Sequence, residues 1–230
     1  MLIAALMGLA AGLIHVLSGP DHLAAVAPLA IDARDRHWQP GLNWGMGHTA
    51  GVLLVGLLAL LLRELLPVAA LSSWGERLVG VVLIGIGLWG ARRAAGLRIH
   101  VHEHEHGGVR HAHVHAHGTD AGDHVAAPLH VRPHAHTHTH AAFGVGVLHG
   151  LAGSSHLLGV LPALAFPTRA ESVTYLAGFG AATIAAMTAF AGFMGLIAVR
   201  ARSGGMVLYR NVLYGCSFAA IIVGGFWLLM

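Results

Sequence analysis

Charged residues are scarce in this chain, and one charged type is missing. Only 10% of the 230 residues are charged and 56% are hydrophobic, whereas soluble domains carry about 25% charged residues. Lysine is absent, and no cluster of basic and aromatic residues of the kind that binds nucleic acid occurs. The single cysteine, Cys216, has no partner for an intrachain disulfide. These absences exclude a soluble domain, and we expect neither a nucleic-acid partner nor an organic cofactor.

Long apolar runs are present instead. A helix that spans a bilayer takes about 20 mainly apolar residues. The chain contains six such runs, so we predict an all-α transmembrane protein in a lipid bilayer, with spans near 2–31, 43–63, 74–94, 143–166, 172–199 and 206–230.

A motif recurs in the two groups of three spans. Residues 12–28 read GLIHVLSGPDHLAAVAP, and residues 146–162 read GVLHGLAGSSHLLGVLP in the same ungapped frame. Because three is an odd number, the second group must cross the membrane in the opposite direction, as in transporters that bind substrate at the midplane between inverted halves. We predict two inverted three-helix repeats, 1–96 and 142–230, separated by a polar segment at 97–141.

Arginine is distributed unevenly between the two sides of the predicted membrane. Ten of the 13 arginines lie in or beside the loops 32–42, 95–142 and 200–205, and three lie on the other side. Cytoplasmic loops carry the excess of positive residues in membrane proteins. We therefore predict a multi-pass protein of the cell (inner) membrane, with segment 97–141 in the cytoplasm and both termini outside.

Ionisable side chains fall inside the predicted spans, where they are kept mainly if they pair or function. A set of imidazoles with one carboxylate suits nickel, cobalt, zinc or Cu(II), rather than Cu(I), magnesium or calcium. For the histidine of the second span, a packing role and a ligand role are both open. The predicted metal-site residues are His15, Asp21, His22, His48, His149 and His156.

The first two of these histidines require a broken helix. On a continuous helix His15 and His22 would lie about 10 Å apart along the axis, whereas two imidazoles on one metal need nitrogens within about 4 Å. The Ser-Gly-Pro string at 18–20 is typical of a helix break with recapping. We predict an unwound elbow at 18–20, a new helix starting near Asp21, and an equivalent break at 153–155.

The polar segment 97–141 holds 14 of the 20 histidines, mostly at alternate positions. Alternation lets several imidazoles surround one ion, and the low apolar content predicts disorder without metal. We interpret the segment as one that gathers or senses metal, and a pH-responsive polycation or a neutral spacer is the alternative. The predicted loop ligands are His100, His102, His104, His106, His111, His113, His115, His117, His134, His136, His138 and His140.

Two other residue types have structural interpretations. Glycines such as Gly45, Gly47 and Gly51 are predicted to allow close packing of helices. The tryptophans at 44, 74 and 89 are interpreted as anchors at the membrane interface.

The string HVLSGPDH at 15–22, followed by LAAVAPLA, resembles the nickel/cobalt transporter superfamily, which includes UreH-like and nickel/cobalt efflux-type membrane proteins. The family signature is a histidine, a short gap and Asp-His on one transmembrane helix, required for metal transport. His15, Asp21 and His22 match it in kind, and His149 and His156 match a second histidine motif. The gap of five residues and the six predicted spans depart from importers with a gap of four and eight spans.

The sequence thus predicts a transporter of divalent transition-metal ions, with nickel or cobalt first and zinc next as the substrate. An intramembrane enzyme is disfavoured because the chain has no nucleophile elbow and no second acid to orient a base. A membrane-bound metal chaperone or urease-accessory protein and a small-solute exporter are two further candidate functions. The direction of transport, the coupling ion and homo-oligomerisation are left open by the sequence.

Overall fold

The computed structural model of the protein consists of helices and one β-hairpin. It describes residues 1–33, 35–61, 68–106, 109–117, 137–151 and 159–229. Within these ranges the backbone alone is described at 55–61, 68–73, 75, 98–106, 109–117 and 137–140.

The described helices follow the order of the apolar runs. The hairpin lies between the fourth and the fifth α-helix, and a short 3-10 helix, Leu161–Ala165, precedes the last two α-helices. The helices are α1 (Leu2–Ser18), α2 (Pro20–Asp32), α3 (Gln39–Leu61), α4 (Val68–Ala95), α5 (Thr137–Leu151), α6 (Arg169–Ser203) and α7 (Met206–Leu229).

The hairpin lies inside the histidine-rich segment. Strand β1 (Arg98–His106) pairs antiparallel with strand β2 (Val109–His117). The register sets His102 opposite His113. These strands were not predicted from the sequence. Disorder of 97–141 without metal stays a prediction, as does the division into 1–96, 97–141 and 142–230.

Length and composition identify the helices that can cross a membrane. Among the described residues, Glu76–Ala95 of α4, all of α6 and all of α7 are each long and apolar enough to do so. Helices α1 and α2 meet the same criterion together, as a pair bent by 73°. The structure therefore supports three or four spans, and the six-span inverted repeat stays a prediction.

Glycines bring the helix backbones into close contact. A Cβ atom at Gly8 of α1 would overlap the carbonyl oxygen of Tyr175, and one at Gly12 would overlap that of Phe179. Since both residue numbers rise together, α1 and α6 run parallel. A larger residue at either glycine would force the two helices apart.

A second parallel pair is built in the same way. A Cβ atom at Gly146 of α5 would overlap the carbonyl oxygen of Trp44, and one at Gly150 would overlap that of His48. Helices α3 and α5 therefore run parallel in contact. On the α3 side, Cβ atoms at Gly47 and Gly51 would meet the α5 backbone, and one at Gly45 would meet α6. The prediction that these three glycines allow close packing is confirmed.

Helices α4 and α7 form an antiparallel pair. A Cβ atom at Gly80 would lie 2.6 Å from the carbonyl oxygen of Gly224, and one at Gly87 would lie 2.6 Å from that of Ser217. Because one number rises as the other falls, these two helices run in opposite directions.

Helix α2 is enclosed by its neighbours and held at its C-terminal end. It contacts α3, α4, α6 and α7. Tyr209 Oη and Arg202 Nη2 each donate to the carbonyl oxygen of Ile31 at 3.2 Å. Arg93 Nε donates to both carboxylate oxygens of Asp32, at 3.0 and 3.2 Å. The last carbonyls of a helix lack partners within the helix, so these contacts fix the end of α2 to α4, α6 and α7.

Candidate metal centre

The first span is broken at a single residue. Helix α1 ends at Ser18, and Gly19 adopts an extended conformation (φ −93°, ψ 97°) before α2 begins at Pro20. Proline is favoured at the first helical position because its missing N–H has no partner there in any case. The predicted break is confirmed, although Gly19 alone is unwound and the new helix begins one residue before Asp21.

The break brings the two histidines of the first motif together. The 73° bend between α1 and α2 leaves the His15 and His22 ring centroids 4.7 Å apart, far closer than the spacing on a continuous helix. The equivalent break predicted at 153–155 lies outside the described residues, as does His156.

His48 of α3 completes a group of three imidazoles. Its Nε2 atom lies 3.1 Å from His15 Nε2 and 3.4 Å from His22 Nε2. These separations fit ligands that share one ion, since each metal–nitrogen bond is about 2 Å long. His48 is buried. The sequence left its role open between packing and ligation, and the structure sets it beside both histidines of the first span.

Asp21 connects the first half of the chain with the second. Its Oδ1 atom lies 3.1 Å from His22 Nδ1, and its Oδ2 atom lies 3.2 Å from His149 Nε2 of α5. All three side chains are buried. An ionised carboxylate can only accept hydrogen bonds, so His22 Nδ1 carries a hydrogen that it donates to Asp21. The pairing of Asp21 with His149 was not predicted from the sequence.

Two overlapping groups could therefore hold a metal ion. One consists of His15, His22 and His48, and the other of Asp21, His22 and His149. Within each group the ligand atoms lie within 4.8 Å of one another. Because Asp21 engages Nδ1 of His22, the Nε2 atom of His22 keeps its lone pair and faces His48. A carboxylate behind a ligating histidine is a common arrangement at metal sites, where it fixes the tautomer and the ring orientation.

Aromatic side chains border the cluster on two sides. The Phe179 ring of α6 lies 5.4 Å from that of His15, and the Trp44 ring lies 5.6 Å from that of His149, measured between centroids. Trp44 is 0% exposed, so its interpretation as an anchor at the membrane interface is wrong. Its position one turn before His48 on α3 was the available signal, because residues four apart share a face of a helix.

The structure brings together five of the six residues predicted for the membrane site, and metal binding by them stays a prediction. Of the loop ligands, His134 and His136 lie outside the described residues, and only the backbone of His138 and His140 is described. The other predicted loop ligands lie on the two strands.

No protein-family model matches the chain, and no solved structure matches it. The chain is 37% identical over 189 residues to Chloroplast protein FOR GROWTH AND FERTILITY 1 of Arabidopsis thaliana, which is 82% of this chain and 48% of that protein. It is 35% identical over 196 residues to Chloroplast protein FOR GROWTH AND FERTILITY 2 of the same plant, 85% of this chain and 48% of that protein. The chain thus spans about half the length of these two relatives. It is 28% identical over 197 residues to Urease accessory protein UreH of Bacillus sp. (strain TB-90), 83% of this chain and 75% of that protein. The chain is therefore distantly similar to UreH and more similar to the two plant proteins.

Proposed function

We propose that the protein transports divalent transition-metal ions across a membrane. The observation that carries this proposal is the convergence of three imidazoles on one point at a helix break. His48 Nε2 lies 3.1 Å from His15 Nε2 and 3.4 Å from His22 Nε2. Buried ionisable groups inside a membrane are costly and mark ion or substrate pathways.

The donor set supports a transition metal as the substrate. Imidazole nitrogens are ligands of intermediate softness. Three of them, with a carboxylate behind one, suit nickel, cobalt and zinc better than calcium or magnesium. Nickel and cobalt are the first candidates and zinc the next. Three protein ligands leave further coordination positions for water. A transported ion must be released from its site, and incomplete coordination by the protein allows this. The three imidazoles bind the ion, Asp21 orients His22 behind it, and no catalytic residue is assigned.

The helix pairing supports a six-span protein with inverted halves. In the predicted repeat, α1 corresponds to α5, α3 to α6 and α4 to α7. If each helix is replaced by its counterpart, the parallel pair α1–α6 becomes the parallel pair α5–α3, and the antiparallel pair α4–α7 is unchanged. These directions agree with two three-helix repeats of opposite orientation, which put segment 97–141 and the two termini on opposite sides of the membrane. The excess of arginine beside segment 97–141 supports the cytoplasmic side for that segment. In that arrangement the cluster lies between the halves, as substrate sites do in such transporters.

The hairpin supports a metal-gathering role for the segment 97–141. Along a strand, alternate residues share a face, and the histidines of β1 and β2 occur at alternate positions. The register sets His100, His102 and His104 opposite histidines of the other strand. Residues directly opposite have Cβ atoms about 5 Å apart, a spacing at which two imidazoles can reach one ion.

One alternative function and one alternative location are favoured by the relatives. The similarity to a protein named as a urease accessory protein supports a membrane-bound metal chaperone as the second candidate. Deleting residues 97–141 would abolish function in a chaperone, whereas a transporter would keep part of its activity. Two relatives are named as chloroplast proteins, so a chloroplast membrane is an alternative to the predicted cell membrane.

The test is the variant His22→Ala, with His37→Ala as its control. His37 lies outside the cluster, where its ring Nδ1 donates to the carbonyl oxygen of Ala30 at 2.7 Å. We expect His22→Ala to abolish nickel or cobalt flux into liposomes that contain the purified protein, while His37→Ala keeps it. Size-exclusion chromatography of both variants checks that they fold. Equal flux in His22→Ala and the unmodified protein would remove the site assignment.

A further inference from the structure

Two buried threonines near the cluster have no hydrogen-bond partner for their hydroxyls within the part of the chain that the structure describes. They are Thr49 of α3 and Thr183 of α6. Thr49 is 8% exposed and Thr183 is 0% exposed. A buried hydroxyl without a partner is destabilising and usually has a specific reason.

Other hydroxyls on the same helices behave differently. Thr174 and Thr188 of α6 donate to the carbonyl oxygens of Ala170 and Ile184, both at 2.7 Å. This bond to the residue four positions earlier is the usual way in which a threonine inside a helix satisfies its hydroxyl. Thr183 lies on the same helix and does not make it. Its hydroxyl is therefore available for a partner of another kind.

Both threonines lie at the level of the histidine cluster. Thr183 is one turn beyond Phe179, on the same face of α6, and the Phe179 ring contacts that of His15. Thr49 follows His48 on α3. A Cβ atom at Gly180 would lie 2.7 Å from Cγ2 of Thr49, so α3 and α6 are in contact there.

The two halves of the chain each contribute one of these buried hydroxyls, Thr49 from the first half and Thr183 from the second.

We infer that the hydroxyls of Thr49 and Thr183 bind the water molecules that complete the coordination shell of the ion held by the histidines. This inference rests on the proposed function. A hydroxyl can both donate and accept, so it can hydrogen-bond to a water molecule that is bound to the ion. Zinc is satisfied by four ligands, whereas nickel and cobalt take more. The two hydroxyls would therefore favour nickel and cobalt over zinc.

The test compares isosteric variants of the full chain by titration calorimetry with nickel and with zinc. Valine keeps the shape of threonine and removes its hydroxyl. We expect Thr49→Val and Thr183→Val each to weaken nickel binding by about 3- to 10-fold, the effect of one lost hydrogen bond, and to weaken zinc binding less. Thr188→Val, on the same helix, is the control and should bind both metals as the unmodified protein does. Thr183→Ser keeps the hydroxyl and should keep the affinity for nickel.

The outcomes separate this inference from the proposed function. If the unmodified protein binds nickel and the two valine variants match Thr188→Val in affinity and in nickel-to-zinc ratio, the inference is wrong and the proposed function stands. The same holds if Thr183→Ser loses affinity as Thr183→Val does, because the effect would then come from packing. If the unmodified protein binds neither metal, both fail. Thermal unfolding checks each variant, and removing an unsatisfied buried hydroxyl should not lower the unfolding temperature.

Discussion

The two halves of the chain match in packing and differ in chemistry. Gly12 of α1 and Gly146 of α5 occupy the same place in the repeated motif, and each lets its helix touch the backbone of a parallel neighbour. Among the described residues, the first half contributes three histidines and the carboxylate to the cluster, and the second contributes His149. Equivalent packing therefore does not imply equivalent ligands.

The difference between the halves is concentrated at one aligned position. Asp21 of the first motif corresponds to Ser155 of the second, so the acid occurs once. Its two oxygens lie beside His22 of its own half and His149 of the other. A single substitution within a repeat thus supplies the charge that both halves share.

The variant with the largest expected effect is Asp21→Asn, which removes the charge that distinguishes the two halves. An amide keeps the shape but loses the charge, and only its carbonyl oxygen can still accept a hydrogen bond. Loss of a carboxylate behind a ligating histidine costs roughly 10- to 100-fold in metal affinity, and we expect about 100-fold for nickel because two histidines lose it. Asp35→Asn, the same change at an exposed position beyond the end of α2, should leave the affinity unchanged. Calorimetric titration measures both, and an unaltered affinity in Asp21→Asn would contradict the role given to the carboxylate.

The equivalence in packing is tested by Gly12→Ala and Gly146→Ala. Each new methyl group would overlap a neighbouring carbonyl oxygen, and overpacking of this kind costs about 1–3 kcal/mol of unfolding free energy. We expect both costs to fall within this range, because each glycine occupies the same place in the repeated motif. Gly144→Ala is the control, because its Cβ would meet no described atom within 4 Å. Chemical unfolding in detergent gives the three values, and a large cost at one glycine alone would show that the two helix pairs are not equivalent.

The smallest expected effect is that of Gly19→Ala at the helix break. The backbone angles of Gly19 suit any residue, but a Cβ atom there would overlap the ring nitrogen Nδ1 of His22. Because the ring can tilt away, we expect a loss of about tenfold in nickel affinity, the low end of the range for groups that orient a ligand. Gly85→Ala, whose Cβ would meet no described atom within 4 Å, should have no effect. An affinity equal in the two variants would mean that the position of His22 does not depend on the space at Gly19.

Local features were predictable from the sequence, and contacts between helices were not. The break at Gly19 follows from the Ser-Gly-Pro string, and this string alone is enough to predict that His15 and His22 lie close together. The contacts of His48 and the pairing of Asp21 with His149 depend on how α3 and α5 pack, which the spacing within one helix does not reveal. Trp44 was assigned to the membrane interface on residue type alone, although its burial depends on the same packing.

The sequence of the histidine-rich segment contains a signal for the hairpin. Gly107-Gly108 stands between two runs of alternating histidines, and two glycines between alternating segments are a strong indication of a tight β-turn. The low apolar content of the segment predicts disorder without metal, because composition carries no information about turns.

Helix α2 carries two residues of the cluster, Asp21 and His22, at the end opposite to the one that is held. Its 13 residues form a rod about 20 Å long at 1.5 Å per residue, held at Ile31 and Asp32 and joined to α1 through one unwound residue. A tilt of about 10° at the held end would carry the other end through about 3.5 Å over that length. Such a displacement would separate Asp21 from His149 and His22 from His48. The hold of Arg202, Tyr209 and Arg93 on the last turn of α2 therefore sets the geometry of ligands that none of these three residues touches.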